Sequence, residues 1–179
     1  MGAQNKNNDL YGMFEASLDA KTGRFVIPAD VHLLLGKTVR LTVDPLGRFL
    51  EVRSEGNFEL LVERITAAEA TLPVEVIAAL RVDYLGFSAE GQIDGSLRLV
   101  VPKRMREVLG DEDDLVLIGV KDFLQVWPAS RYREDRASRM QQFVGQYPQV
   151  QHLIMGIARP EPIVAVPVAA PVVVTPEIG

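Results

Sequence analysis

Two stretches of this chain are near copies of each other. One reads Ser-Leu-Asp-Ala-Lys-Thr-Gly-Arg-Phe-Val-Ile-Pro and ends at Pro28. The other reads Gln-Ile-Asp-Gly-Ser-Leu-Arg-Leu-Val-Val-Pro and ends at Pro102. Arg24 and Arg98, Pro28 and Pro102, Gly36 and Gly110, Phe49 and Phe123, Leu50 and Leu124, Val52 and Val126, and Phe58 and Tyr132 are each 74 positions apart. A register kept over roughly 45 residues is the mark of a duplicated supersecondary unit. A unit of that size buries too little apolar surface to be stable alone, so the two copies are expected to fold against each other and to act as one object.

Each copy reads strand, tight turn, strand, short helix, strand, strand. Phe14–Leu18 and Arg24–Ile27 flank the first turn; Gly91–Ile93 and Leu97–Val101 flank the second. In the second copy Gly95-Ser96 suits a two-residue loop with glycine first, a type II′ turn. In the first, Lys21-Thr22-Gly23 makes the loop one residue longer, with a late glycine suited to a left-handed conformation. Pro28 and Pro102 fit the first helical position and Gly36 and Gly110 the position just past the end. Val31, Leu34 and Leu35 share one helix face, as do Met105, Val108 and Leu109. Between the copies Phe58–Ala70 and Val74–Leu85 read as helices split at Pro73. Arg131–Val144 reads as an amphipathic helix, with a short one over Val150–Ala158.

Five of the 11 prolines lie in the last 20 residues, so the Pro/Val-rich end is expected to be extended or disordered, with a protein partner conceivable for it. The absence of cysteine excludes disulfide and thiol chemistry and fits a reducing compartment. No apolar leader or membrane-length run is present, and a soluble cytoplasmic protein is expected. The net charge of −5 speaks against nucleic-acid binding by bulk charge but leaves room for a local basic patch. Residues 1–53 are the least acidic part, with seven Lys/Arg against six Asp/Glu.

Enzyme signals fail on inspection. Gly36-Lys37-Thr38 lacks the upstream glycine of a phosphate-binding loop and follows a helix where that motif precedes one. His32 and His152 have no metal-ligand spacing. The Asp111–Asp114 run reads as a solvated turn. No cofactor, metal or catalytic set is expected.

The combined pattern resembles the MraZ family. It consists of Gly12 before Asp19, Gly86 before Asp94, and then Ile93-Asp94, Arg98, Pro102, Arg106, Gly110, Val116-Leu117-Ile118-Gly119-Val120 and Phe123-Leu124-Gln125-Val126-Trp127. The likeness covers about residues 11–145. It implies an α+β, β-rich fold: two tandem SpoVT/AbrB-like swapped-hairpin units pairing into one barrel, with helices between and after them. Read along the chain, the division is a polar arm over 1–11, repeat one over 12–55, a helical connector over 56–85, repeat two over 86–130, C-terminal helices over 131–158 and a disordered Pro/Val-rich tail over 159–179 that goes beyond the family's usual end. It also implies a ring-shaped homo-oligomer that binds short direct repeats of double-stranded DNA at the nucleoid and represses cell-division and cell-wall genes. The chain departs from the family pattern in having one extra residue in the first turn, and Leu97 where glycine is usual.

Arg24 and Arg98 close the two turns, where a guanidinium fork can meet a phosphate or a guanine edge. Asp19 and Asp94 are placed to hold these arginines or to cap the turn backbone. The plainer alternative is a hairpin ion pair, worth under about 1 kcal/mol. Lys21 in the first turn and Lys103, Arg104 and Arg106 after the second are candidate helpers in DNA binding, against the alternative of a solvated helix face. Trp127 reads as packing. Two other functions stay open: a structural ring or interaction module that has lost DNA binding, and an antitoxin-like barrel binding a toxin through its tail.

Overall fold

The computed structural model describes residues 9–146, with 144 and 145 in backbone only. The chain divides into a compact unit, Met1–Asp135, and a second, Arg136–Gly179. The short helix expected over Val150–Ala158 and the Pro/Val-rich tail lie outside the described residues.

The first repeat supplies β1 (Leu10–Ser17), β2 (Arg24–Val26), α1 (Ala29–Leu35), β3 (Thr38–Val43) and β4 (Leu50–Ser54). A connector follows, with α2 (Glu55–Ala67), a 3₁₀ turn (Ala68–Ala70), α3 (Val74–Ala79) and a π-helical segment (Leu80–Leu85). The second repeat supplies β5 (Ala89–Gln92), β6 (Arg98–Val100), α4 (Lys103–Arg106), β7 (Asp114–Lys121) and β8 (Phe123–Pro128). Helix α5 (Ala129–Gln146) begins in the first unit and crosses the division at Asp135.

The fold is α+β and strand-rich. Six antiparallel strands form a sheet in the order β1-β7-β8-β4-β3-β5, and β2 and β6 form a separate two-stranded ribbon. Each repeat's first strand pairs with the other repeat's third: β1 with β7, and β5 with β3. The ribbon pairs Phe25 with Leu99, and the sheet centre pairs Glu51 with Gln125. Both couples are 74 residues apart, so a pseudo-two-fold axis runs through the middle of ribbon and sheet. Single bridges, Asp19 to Arg24 and Ile93 to Leu99, link the ribbon to the neighbouring repeat elements. Continuous strand pairing therefore stops short of a closed barrel.

Period-two alternation puts the main core on one face of the sheet. Leu41, Leu50, Val52, Leu115, Leu117, Leu124 and Val126 point there, against Phe25, Ile27, Leu99 and Val101 from the ribbon and its extensions. Each such fully buried side chain is worth about 1.5–3 kcal/mol over an exposed one. Met105 and Leu109 of the second repeat join Val31 and Leu35 of the first in this core, while Leu34 turns outward, unlike the face expected for it.

The opposite face holds Phe49, Trp127 and Tyr132 together, so Trp127 is packing, as read from the sequence. On the same face Glu51 is buried and accepts hydrogen bonds from Arg53 Nη2 at 2.9 Å, from Thr42 Oγ1 at 3.2 Å and from the Tyr84 hydroxyl. Burial, then the bond to Glu51, hold the Tyr84 phenol above its usual range. Arg53 lies 4.0 Å from the Phe123 ring centroid, and its counterpart Trp127 lies 4.4 Å from the counterpart ring, Phe49. The duplication thus survives as geometry even where arginine stands in place of tryptophan.

Several local expectations are corrected. Pro28 and Pro102 are the caps preceding α1 and α4, with ψ of 142° and 139°, rather than the first helical residues. Helix α4 ends at Arg106, and Gly110 closes a following turn. The second hairpin is not a type II′ turn. Gly95 has no positive φ, whereas Leu97 has φ 59°, and Leu97 N donates to Asp94 O at 2.9 Å. The loop is therefore three residues long, with its last residue left-handed. Leu97 occupies the position equivalent to Gly23, which has φ 69° in the first turn. Keeping the strand faces in phase demands this conformation even from leucine, at a cost of about 1–2 kcal/mol.

Candidate nucleic-acid interface

In the β2–β6 ribbon, alternation sends Phe25 and Leu99 into the core and Arg24, Val26, Arg98 and Val100 outward. Arg24 pairs with Val100 and Val26 with Arg98. The two arginines therefore stand on one exposed face, at diagonal positions about 7–8 Å apart. Between them lie Val26 and Val100, 53% and 40% exposed. Neither valine was singled out in the sequence, although alternation around Arg24 and Arg98 implies their exposure.

The two turns are built differently. Asp94 Oδ1 accepts from Ser96 N and Arg98 N at 2.9 and 3.0 Å, and Oδ2 accepts from Arg98 Nε at 2.9 Å and forms an ion pair with Nη2 at 2.9 Å. The backbone bond from Arg98, then its side chain, lower the Asp94 pKa below the usual carboxylate range. Asp19 caps its own turn instead: Oδ1 accepts from Lys21 N and Thr22 N at 3.0 and 3.3 Å, and Oδ2 from the Thr22 hydroxyl at 2.7 Å. These bonds, the Thr22 hydroxyl's foremost, lower the Asp19 pKa as well. Asp94 thus both caps and orients, whereas Asp19 only caps. Among the described residues, Arg24 makes no ion pair or side-chain hydrogen bond.

The four candidate helpers separate into two kinds. Lys21 at the first tip and Lys103 at the start of α4 are exposed. Arg104 turns back, donating from Nη2 to Ser88 O at 2.7 Å, with its guanidinium 5.2 Å from the Phe87 ring centroid. Arg106 is half-buried and donates to two backbone carbonyls, Val101 O at 2.9 Å and Thr22 O at 2.8 Å. The basic residues after Arg98 are thereby divided between the accessible Lys103 and two arginines tied to the backbone. Arg40, Arg48 and Arg53 are paired with Glu90, Asp44 and Glu51 respectively.

The described residues hold no group of three or more His, Cys, Asp or Glu side chains that could bind a metal, and no helix among them is long and apolar enough to cross a membrane. The outer ribbon face can supply two guanidinium forks around an apolar centre, with the exposed Lys21 in the turn that leads into it, a chemistry suited to phosphates and base edges.

Residues 87–143 match the family model described as "MraZ protein, putative antitoxin-like". The chain is 31% identical over 125 residues to a protein of Symbiobacterium thermophilum named transcriptional regulator MraZ, covering 69% of this chain and 86% of the relative. A protein of that name from Acetivibrio thermocellus is 32% identical over 123 residues, covering 69% and 83%. Another from Methylibium petroleiphilum is 30% identical over 135 residues, covering 73% and 88%.

Proposed function

Because the chain belongs to the MraZ family, we propose that it is a sequence-specific DNA-binding transcriptional regulator without catalytic activity, and that the outer face of the β2–β6 ribbon meets the DNA. The observation that carries the reading is the placement of Arg24 and Arg98 on one exposed face of a ribbon that joins both repeats. A two-stranded ribbon fits the major groove, where arginine forks address guanine edges and small apolar side chains address thymine methyl groups. Arg24 and Arg98 are the central contacts, Val26 and Val100 face the base edges between them, and Lys21 and Lys103 neutralise phosphates. Asp19 and Asp94 shape the turns, and Arg104 and Arg106 act from behind the surface.

One such face on an acidic subunit binds weakly. A ring of copies engaging direct repeats about one helical turn apart supplies affinity through avidity. In this reading the units over 12–55 and 86–130 are SpoVT/AbrB-type swapped hairpins of one barrel, joined by the 56–85 connector and flanked by the 131–158 helices and by the 1–11 arm, whose Leu10 and Tyr11 already belong to β1. The 159–179 tail is left to a protein partner, and the protein works in the cytoplasm at the nucleoid, repressing cell-division and cell-wall genes. The interlocked pairing of β1 with β7, β5 with β3 and β2 with β6 supports the swapped arrangement.

The test is a mobility shift across the DNA upstream of the chain's own gene. The intact protein is expected to retard fragments carrying direct repeats. The Arg24→Ala, Arg98→Ala double variant is expected to keep its assembly by light scattering and lose the shift. Retardation by the double variant equal to that of the intact protein overturns the reading.

A further inference from the structure

We infer that Arg106 is a positioning residue: it reaches from the second repeat to the first turn and holds the loop that carries Lys21 and leads into Arg24 on the outer ribbon face. The inference rests on the DNA-contact reading of that face, but its geometry stands apart from it. Val101 N donates to Gly23 O at 2.8 Å, Val101 O accepts from Arg106 Nε at 2.9 Å, and Arg106 Nη2 donates to Thr22 O at 2.8 Å. These three bonds close a circuit between the end of the ribbon, the guanidinium and the turn. The turn backbone lies directly on the guanidinium: a Cβ on Gly23 would stand 2.1 Å from Arg106 Cζ. Glycine at position 23 thus suits the left-handed φ and leaves room for the guanidinium, which a Cβ would have to displace.

The second turn is held by a different device. The residue equivalent to Arg106 is His32, which makes no side-chain hydrogen bond among the described residues. The ribbon bond recurs, with Ile27 N donating to Leu97 O at 2.8 Å, but the turn is steadied from within by the Asp94–Arg98 fork. The first turn is one residue longer, and its Arg24 makes no ion pair among the described residues; besides the bonds of Asp19 and the ribbon bond from Val101 N to Gly23 O, Arg106 holds it. Each tip therefore has its own brace, and the brace of the first crosses between repeats. Arg106 adds to DNA binding through the turn it holds, since its Nε and Nη2 are already engaged with backbone carbonyls.

The experiment uses the full chain with Arg106→Ala, Arg106→Lys, Arg24→Ala and the Arg24→Ala, Arg106→Ala double variant. Amide hydrogen exchange is read at Lys21–Arg24 and, as a control for folding, in β4 and β7. Affinity is read by anisotropy on a labelled duplex of the upstream region. Arg106→Ala is expected to speed exchange at the turn about tenfold while the control strands hold, and Arg106→Lys to restore part of the protection. Arg106→Ala is expected to weaken binding in the intact background and to add less than about twofold once Arg24 is gone. Unchanged exchange at the turn in both Arg106 variants overturns the brace. An equal drop in affinity in both backgrounds, with a salt slope shallower by about 0.9, overturns it too by making Arg106 a phosphate ligand. Absence of binding by the unmodified chain refutes the DNA reading alone, and the exchange measurement still decides the brace.

Discussion

Replacing Gly23 by alanine applies two separable penalties. The first is conformational: at φ 69° a Cβ costs about 1 kcal/mol. The second is steric: the new methyl would sit 2.1 Å from Arg106 Cζ and must drive the guanidinium off Thr22 O and Val101 O. Two such hydrogen bonds at a half-exposed site are worth about 1 kcal/mol each. Gly47 provides the control, with φ 66° and nothing within 4 Å of its hypothetical Cβ, so Gly47→Ala carries the conformational penalty alone. Urea denaturation is expected to show Gly23→Ala destabilised by about 3 kcal/mol and Gly47→Ala by about 1 kcal/mol. In an Arg106→Ala background the cost of Gly23→Ala is expected to fall to the Gly47 level, because the obstructing group is gone. Equal costs for the two substitutions in the unmodified chain refute the seating of the guanidinium on the turn.

Other positions give equally direct tests. At Leu97 the usual order of alanine and glycine reverses: φ 59° makes Leu97→Gly more stable than Leu97→Ala by about 1 kcal/mol, read from denaturation midpoints. The lowered Asp94 pKa means that its hold on Arg98 is present above the unperturbed value of 3.8 and lost as pH falls through the lower folded value. The Arg98 Nε–H signal in NMR is expected to lose its protection only under such acid conditions, and in Asp94→Asn the acid step is absent. Tyr84 has a raised pKa, so its contribution is full below its unperturbed 10.0 and lost as pH rises through the folded value. Tyr84→Phe is expected to cost about 1–2 kcal/mol near neutrality, by removing a donor from buried Glu51, and to flatten the alkaline loss of stability.

The duplication was legible because both copies keep the same spacing of apolar, Pro and Gly positions. That spacing predicts the order of elements and most of the core. Which strand pairs with which was not legible from local turns. A hairpin pattern directs β2 back onto β1, yet the buried faces of Phe25 and Leu99 are satisfied together only when β2 meets β6. The second turn departs from the two-residue loop that Gly95-Ser96 suits, because strand phase imposes three residues and a left-handed Leu97. The 74-residue register, which sets Leu97 on Gly23, held the correcting signal. The basic cluster after Arg98 looked uniform in sequence. Only the fold separates Lys103, which points to solvent, from Arg106, whose partner Thr22 lies 84 positions away.

The most direct test of the ribbon as the DNA-binding surface is the salt dependence of affinity for an operator duplex. It is measured for the intact chain, for the Arg24→Ala, Arg98→Ala variant, and for Arg64→Ala, which removes an exposed arginine of α2 paired with Asp122. The account predicts that the ribbon variant binds more weakly at every salt concentration. Its slope is expected to be shallower by about 0.9 for each phosphate it no longer neutralises, while Arg64→Ala follows the intact chain. An unchanged slope and affinity in the ribbon variant would contradict it.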